Sequence, residues 1–289
     1  MTVYKSNVPT DSLPVGTRAI VKHIKRRITR NKNYLCAITG QTGSGKSYAA
    51  MSLMGCITGK LKTKNICFTA KTFMERVVSG ELKKGDVIIW DEAGVDLNSK
   101  QWQSLANRVI NFVLQTFRNL NLIVIFTLPY LSFLDSDSRK LLHGYMETMS
   151  IDEENELAIL SPKLIQVNQR TGNVYYKRYR AMSGGYMVPI QTIGLVKPPS
   201  SFLIWYEDIK TKFTDSLNAK IHLQLARLEK KELKKQKPKE LTKKQQEVWD
   251  MTQKGMTQQQ IADSLGLAIS TVNDRLKSAR KKKDLEVIS

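Results

Sequence analysis

Acidic residues are scarce. The 289-residue chain has 26 Asp and Glu against 46 Lys and Arg, a formal net charge of +20. Such an excess repels itself and seeks a polyanion, so nucleic acid is the first partner to consider and an anionic membrane surface the second. Cysteine is scarcer: Cys36, Cys56 and Cys67 are the only three, all in apolar runs and without metal-ligand spacing. They read as small buried hydrophobes in a reducing compartment. A long hydrophobic run is missing too. The longest, Leu122 to Leu134, is broken by Thr127, Pro129 and Tyr130 and is too short to span a bilayer. The N-terminus lacks an early apolar stretch, so no secretory signal is expected. These absences lead us to expect a cytoplasmic protein with no membrane partner.

The hydrophobic fraction, 41%, is ordinary for a globular protein. The charge is uneven. Residues 1–32 carry eight Lys or Arg and one Asp, residues 86–160 carry five basic and eleven acidic groups, and residues 230–244 carry eight Lys and two Glu. Basic ends around an acidic middle suggest ends that touch nucleic acid; a solubilising face is the other reading of such runs.

The stretch Gly40-Gln41-Thr42-Gly43-Ser44-Gly45-Lys46-Ser47 fits the phosphate-loop pattern G-x-x-x-x-G-K-[ST]. The apolar run 33–39 before it reads as a buried strand and the run 47–54 after it as a helix, the context that the motif requires. Glycines at 40, 43 and 45, with Thr42 and Ser44, let backbone N–H groups turn inward on phosphate oxygens, and the helix N-terminus adds a positive dipole. Lys46 would reach the β- and γ-phosphates, and Ser47 would ligate Mg²⁺.

Val87 to Trp90 is a second buried strand, running straight into Asp91-Glu92. Uninterrupted apolar strands alternating with helical segments predict a mostly parallel sheet, in which ligands sit at the carboxyl ends of strands. Asp91 is then placed to hold Mg²⁺ and Glu92 to polarise an attacking water. Asp91-Glu92-Ala93-Gly94 also fits the D-x-x-G of GTPases, but no N-K-x-D follows. ATP is therefore expected rather than GTP. Residues 98–117 form a helical pattern ending at Arg118. Arg118 is either an arginine finger acting in trans in a ring or a helix-end Arg satisfying carbonyls. Thr127, just past the third core strand (122–126), either hydrogen-bonds the γ-phosphate or attacking water or is a strand end without a role.

Further along, 136–146 reads as a helix, and 160–167 with 174–179 as a hairpin. Its alternating Tyr176, Lys177, Arg178, Tyr179 and Arg180 suit either nucleic acid or an edge strand with one wet face. Residues 184–199 read as an irregular connection, followed by a helix from Ser200 or Ser201 towards Leu228.

The loop Gly40–Ser47, the pair Asp91-Glu92 and Arg118 before a core strand resemble P-loop ATPases of the RecA-like FtsK–HerA kind. They look especially like the N-terminal domain of zonula-occludens-toxin-type proteins of phages and archaeal elements. The resemblance covers about residues 20–180. It implies an α/β, RecA-like P-loop NTPase fold, ATP and Mg²⁺ as ligands, and a homo-oligomeric ring that moves DNA. Leu128 and Pro129 follow Thr127 where the family often has Gln, and the membrane span of the phage members is absent.

The tail holds a second organised unit. Thr242 with Gln245, and Thr257 with Gln260, make two capping boxes. Gly255 ends the first helix, Gly266 makes a tight turn after the second, and a third helix starts near Ser270. Val248, Ile261, Ala262, Leu265, Val272, Leu276 and Ala279 would form the inner side. Three short helices with a glycine turn between the last two make a small all-α helix-turn-helix. The run from Leu241 to Arg280 resembles sigma-factor region four and LuxR-type domains. Its third helix would present Ser270, Thr271, Asn273, Asp274 and Lys277 to the major groove of double-stranded DNA. Asn273 is suited to adenine, and Arg275, Arg280 and Lys281 to Lys283 to phosphates.

The expected domains are a P-loop ATPase domain over 1–200 with its core at 20–180, a helical extension over 201–228, a Lys-rich linker over 229–240 and the helix-turn-helix over 241–283. Two functions follow from different classes. One is an ATP-driven DNA motor, remodelling or packaging protein of a virus or plasmid. The other is an ATP-switched, sequence-specific regulator of transcription or replication.

Overall fold

The computed structural model describes residues 2–6, 13–93, 120–236 and 240–287. The helix expected over 98–117, together with Gly94 and Arg118, lies outside them. The chain divides into two compact units, Met1–Thr214 and Asp215–Ser289.

The first unit is built on an eight-stranded sheet. Its main path runs β12 (Ile193–Val196), β8 (Leu157–Val167), β7 (Gly144–Asp152), β2 (Tyr34–Thr39), β6 (Ile123–Leu128), β5 (Val87–Trp90) and β4 (Ile66–Cys67), and β9 (Val174–Arg178) pairs with β8. The five strands β7, β2, β6, β5 and β4 are mutually parallel; β8 pairs antiparallel with β7, and β9 and β12 each pair antiparallel with β8. This is the mostly parallel α/β sheet of a RecA-like P-loop fold. Two small antiparallel pairs flank it: β1 (Val3–Lys5) with β3 (Lys60–Lys62), and β10 (Arg180–Ser183) with β11 (Tyr186–Pro189).

Central strands are apolar on both faces because both faces are covered. On β2, Tyr34, Cys36 and Ile38 belong to one core cluster and Leu35 and Ala37 to the other. The first cluster takes in helices α1 (Val15–Thr29) and α2 (Lys46–Thr58) and the start of the long helix α5 (Ser200–Gln236); the second takes in α3 (Ala70–Val78) and the residues around α4 (Ser136–Leu141). Helix α1 shows how the sequence fixes a face. Thr17, Ile20, Val21, Ile24 and Ile28 are buried at spacings of one helical turn, while the Lys and Arg between them are not. The three cysteines are buried and free.

Several expectations change. The segment 136–146 is helical only to Leu141, and β7 begins at Gly144. Residues 184–199 are not irregular: Gly184 and Gly185 turn the β10–β11 hairpin, and β12 follows. Helix α5 runs on to Gln236, so most of the stretch expected as an extended linker is helical. Thr127 lies within β6 rather than past it.

In the second unit, α6 (Lys243–Gln253), α7 (Gln258–Leu265) and α8 (Ile269–Val287) pack around Val248, Ile261, Ala262, Val272 and Leu276. Both capping boxes form: the Gln245 side-chain carbonyl accepts from Thr242 N–H at 3.1 Å and that of Gln260 from Thr257 N–H at 2.9 Å. Gly266 caps α7 with φ 60°, a left-handed conformation that glycine adopts without strain.

Candidate functional site

Strand order and side-chain parity assemble the site. On β5, Val87 and Ile89 face the same core cluster as Ile123 and Ile125 of β6. Continuing the alternation by two puts Asp91 and Thr127 on that same face. The register Trp90↔Phe126 sets them side by side. The glycine loop leaves β2 on the other flank of β6, so loop, acid and threonine converge at the carboxyl edge.

The contacts are specific. Thr127 Oγ1 donates to Asp91 Oδ1 at 2.6 Å and accepts from Glu92 N–H at 2.8 Å. Both Asp91 and Thr127 are fully buried. Glu92 has φ 48°, a region that non-glycine residues rarely adopt; the Thr127 bond holds its N–H there. That conformation carries the Glu92 carboxylate to the wall of a cavity of about 550 Å³, also lined by Thr42, Gly43, Gly45, Lys46, Ser47 and Thr127.

The loop itself is tightly seated at its base. A Cβ on Gly40 would lie 1.8 Å from Thr148 Oγ1 and 2.6 Å from Ser44 Oγ, so only glycine fits. Thr148 Oγ1 donates to Thr39 O at 3.1 Å and to Ser44 Oγ at 2.8 Å, tying the loop to β7. At Gly43 a Cβ would meet nothing within 4 Å: its φ of 80° is what favours glycine there. Gly45, also at φ 80°, precedes the first turn of α2. Lys46 Nζ donates to the carbonyl of Gln41 at 2.6 Å. Burial pushes the Lys46 ammonium down, Asp91 and Glu92 oppose this, and Lys210 reinforces it; the net direction is down.

Helix α5 contributes residues for which the sequence offered no local signal. Tyr206 OH donates to Asp91 Oδ2 at 2.5 Å across 115 residues of chain. The Tyr206 ring stacks on Phe68 with centroids 6.0 Å apart and meets Tyr48 edge-on at 6.2 Å. Burial and then the Asp91 charge push the phenol well above its usual range. Lys210, one turn further, places Nζ 2.9 Å from Glu92 Oε1. Burial alone would lower that ammonium, but the Glu92 bond and the charges of Asp91, Glu92 and Glu207 raise it on balance. Glu207 accepts from Tyr48 OH at 2.8 Å. An adjoining apolar cavity of about 250 Å³ shares Gly45, Tyr48 and Ile151 with the main one.

The donor set fits a nucleoside triphosphate with its divalent cation. Backbone N–H groups at a helix N-terminus, an ammonium, a hydroxyl at Ser47 and a buried carboxylate at Asp91 are what such a ligand requires. Thr42, Gly43, Gly45, Lys46, Ser47, Glu92 and Thr127 meet at one cavity, while Gly40 and Ser44 hold the loop's base.

In the second unit, Ser270, Asn273, Asp274, Lys277 and Arg280 are exposed and Thr271 and Arg275 half-buried, while Val272, Leu276 and Ala279 are buried. The seven candidate DNA-contacting residues thus lie off the inward face of α8.

Fold and site together define a P-loop ATPase-like α/β unit followed by a helix-turn-helix. Residues 239–284 match the family described as bacterial regulatory proteins, luxR family, so the tail is similar to a LuxR-type DNA-binding domain. No curated protein matches the chain. Among solved structures, the FIGL-1 AAA domain is 13% identical, with TM-score 0.38, over 52% of this chain and 58% of its own length. The N-terminal domain of zonular occludens toxin from Neisseria meningitidis is 15% identical, with TM-score 0.30, over 53% of this chain and 97% of its own. ATPases 2 and 3 of EssC from Geobacillus thermodenitrificans are 12% identical, with TM-score 0.30, over 51% and 39%. The chain therefore spans less than two thirds of the first of these. The fold assignment rests on the strand order, the glycine loop and the acidic strand end. No described helix is long and apolar enough to cross a membrane.

Proposed function

We propose that the chain is a DNA-binding ATPase that hydrolyses ATP with Mg²⁺. In this reading it is a motor, remodelling or packaging-type protein of a virus or plasmid, working in the cytoplasm. The observation that carries the ATPase reading is the convergence of the loop, Thr127 and the Glu92 carboxylate on one cavity, with Asp91 buried behind it and hydrogen-bonded to Thr127. The loop N–H groups and Lys46 would bind the phosphates, and Ser47 and Asp91 would hold the metal. Mg²⁺, when bound, neutralises charge on the phosphates. Glu92 would orient and deprotonate water, with its backbone fixed by Thr127. The apolar cavity beside Tyr48 suits the base. The ATPase domain comprises residues 1–200, the tail 241–283 binds duplex DNA through Ser270, Thr271, Asn273, Asp274, Arg275, Lys277 and Arg280, and a homo-oligomeric ring would let Arg118 act in trans.

A second reading, an ATP-switched regulator, is favoured by one observation. Both Asp91 oxygens are engaged by hydroxyls and Glu92 is paired with Lys210, a resting arrangement that turnover must undo. The test is the ATPase rate with and without DNA for wild type, Lys46→Ala and Glu92→Gln, with mass measured under ATP. Lys46→Ala should lose nucleotide affinity. Glu92→Gln should bind ATP and turn it over at least about a hundredfold more slowly, the scale of a lost general base. DNA-stimulated turnover in a ring supports the motor; slow turnover indifferent to DNA, with a sequence-specific footprint, supports the switch. Normal hydrolysis by Glu92→Gln removes Glu92 from the chemistry.

A further inference from the structure

Two stretches of the first unit contain no acidic residue at all: 12–74 and 157–206. The fold brings them together. Helix α1, from the first, lies against β10, from the second, and a cavity of about 420 Å³ opens between them. Lys22 and Arg26 line it from α1, and Arg178 and Arg180 from the β9–β10 segment. All four are exposed. None joins the ion pairs found among the described residues, whose cationic members lie elsewhere. Lys22 and Arg26 stand one turn apart on the helix, a like-charge spacing that destabilises it. Arg178 and Arg180 flank Tyr179, which is buried and hydrogen-bonded to Tyr34 at 2.9 Å. The two arginines are thus anchored through a rigid neighbour. Arg27, by contrast, turns inward to donate to Asn33 O at 3.1 Å and is structural.

The cavity is not only charged. His23 lines it, and its Nε2 is buried without a hydrogen-bond partner. Burial and the neighbouring Arg27 and Arg26 charges push the pKa of that ring down. Met182 and Met187 add an exposed apolar wall, and Tyr186 at the hairpin tip is 79% exposed. Four unneutralised cations with a polar atom left open and an apolar, aromatic-tipped wall suit a ligand that is anionic along a line and apolar between its charges. A sugar–phosphate strand has that character. A compact anion would leave the methionine wall without a partner.

We propose that this groove between α1 and β10 is a second DNA-binding site, on the ATPase core and separate from the helix-turn-helix, that takes the phosphodiester backbone without reading sequence. It extends the DNA-binding reading above, and its test is built so that the two fail separately. The full chain is titrated onto a random-sequence duplex by fluorescence anisotropy over a salt series. The wild type is compared with Lys22→Ala/Arg26→Ala/Arg178→Ala/Arg180→Ala and with the tail variant Asn273→Ala/Arg275→Ala/Arg280→Ala. The core variant should lose roughly tenfold or more in affinity and flatten the log K against log salt slope by about 2–4, one phosphate per cation removed. It should keep nucleotide affinity and any sequence preference of the tail. A charge-keeping set, Lys22→Arg/Arg26→Lys/Arg178→Lys/Arg180→Lys, should keep the slope; if the neutral set melts early, Arg178→Ala/Arg180→Ala alone should show half the effect. An unchanged slope in the neutral set overturns the core site while leaving a tail-borne loss intact. An unchanged affinity in the tail variant removes the helix-turn-helix and leaves the core site standing. If inorganic phosphate at constant ionic strength displaces DNA from the tail variant, the groove is a small-anion pocket and the proposal falls.

Discussion

Both oxygens of the Asp91 carboxylate are held by hydroxyls, Oδ1 by Thr127 and Oδ2 by Tyr206. The two partners differ in kind. Thr127 stands on the neighbouring strand and also fixes the Glu92 backbone, so it belongs to the frame. Tyr206 comes from a helix that starts at Ser200, and its hydroxyl occupies the Asp91 oxygen that the proposed metal would have to reach. Tyr206→Phe keeps the ring against Phe68 and Tyr48 and removes only that competitor. Loss of a hydrogen bond to a charged group should cost about 1.5–3 kcal/mol of stability. Nucleotide affinity with Mg²⁺ should rise; a competitor worth about 1 kcal/mol corresponds to roughly fivefold. A fluorescent ATP analogue titrated with and without Mg²⁺ reads this. Weaker Mg²⁺-dependent binding would instead make Tyr206 a support of the site. Nothing local in the sequence marks Tyr206 or Lys210. Gly40, Lys46, Asp91 and Glu92 announce themselves by spacing along the chain, whereas these two act through a contact spanning more than a hundred residues.

At the scale of elements, the segment after α4 shows where periodicity misleads. Leu141, Leu142, Tyr145 and Met146 have helical spacing, yet the chain turns to strand at Gly144 because β2 captures it. His143 N–H donates to Leu35 O at 2.9 Å, and Leu35 N–H donates to His143 Nδ1 at 3.1 Å. A Cβ on Gly144 would lie 2.0 Å from the Tyr34 hydroxyl oxygen, so glycine alone allows the approach. The partner strand lies a hundred residues earlier, beyond any local window. The half-buried His143 has a consequence for stability. Burial, then Arg27 and His23, push its pKa down to about 3. The unfolded ring takes a proton below about 6.5. Between these values the unfolded state holds more protons, so stability falls as pH drops, by at most about 1.4 kcal/mol per pH unit. Urea unfolding at pH 7 and pH 5 should show a wild-type loss on the order of 2 kcal/mol from this ring. His143→Gln, which keeps an acceptor for Leu35 N–H, should be flatter by that amount. His23, lowered for similar reasons, adds the same sign in both proteins. Parallel pH dependences would show that His143 is not the acid-sensitive group.

At the scale of the whole molecule, the sequence was most legible where the function is modular. The glycine loop, the acidic strand end and the two capping boxes are local devices, and each forms where its spacing puts it. The basic first segment and the alternation of Tyr176 to Arg180 were each legible in the sequence, but not as one groove, because α1 and β10 meet only through the fold. What a ring adds is testable through Arg118. If Arg118 acts in trans, an Arg118→Ala subunit keeps its own loop and lacks only what its neighbour should supply. A Lys46→Ala subunit has a dead loop but still offers Arg118 to the next site. Each alone should hydrolyse no ATP above background. Mixed in equal amounts under ATP, a site works when the first kind sits beside the second, which for random assembly is about one site in four. Hydrolysis should therefore recover to roughly a quarter of the wild-type rate. If Arg118 instead satisfies carbonyls at the end of its own helix, mixing brings no recovery, and Arg118→Ala alone loses stability rather than turnover. Recovery that fails on dilution, as mass falls to that of a single chain, ties the activity to assembly itself.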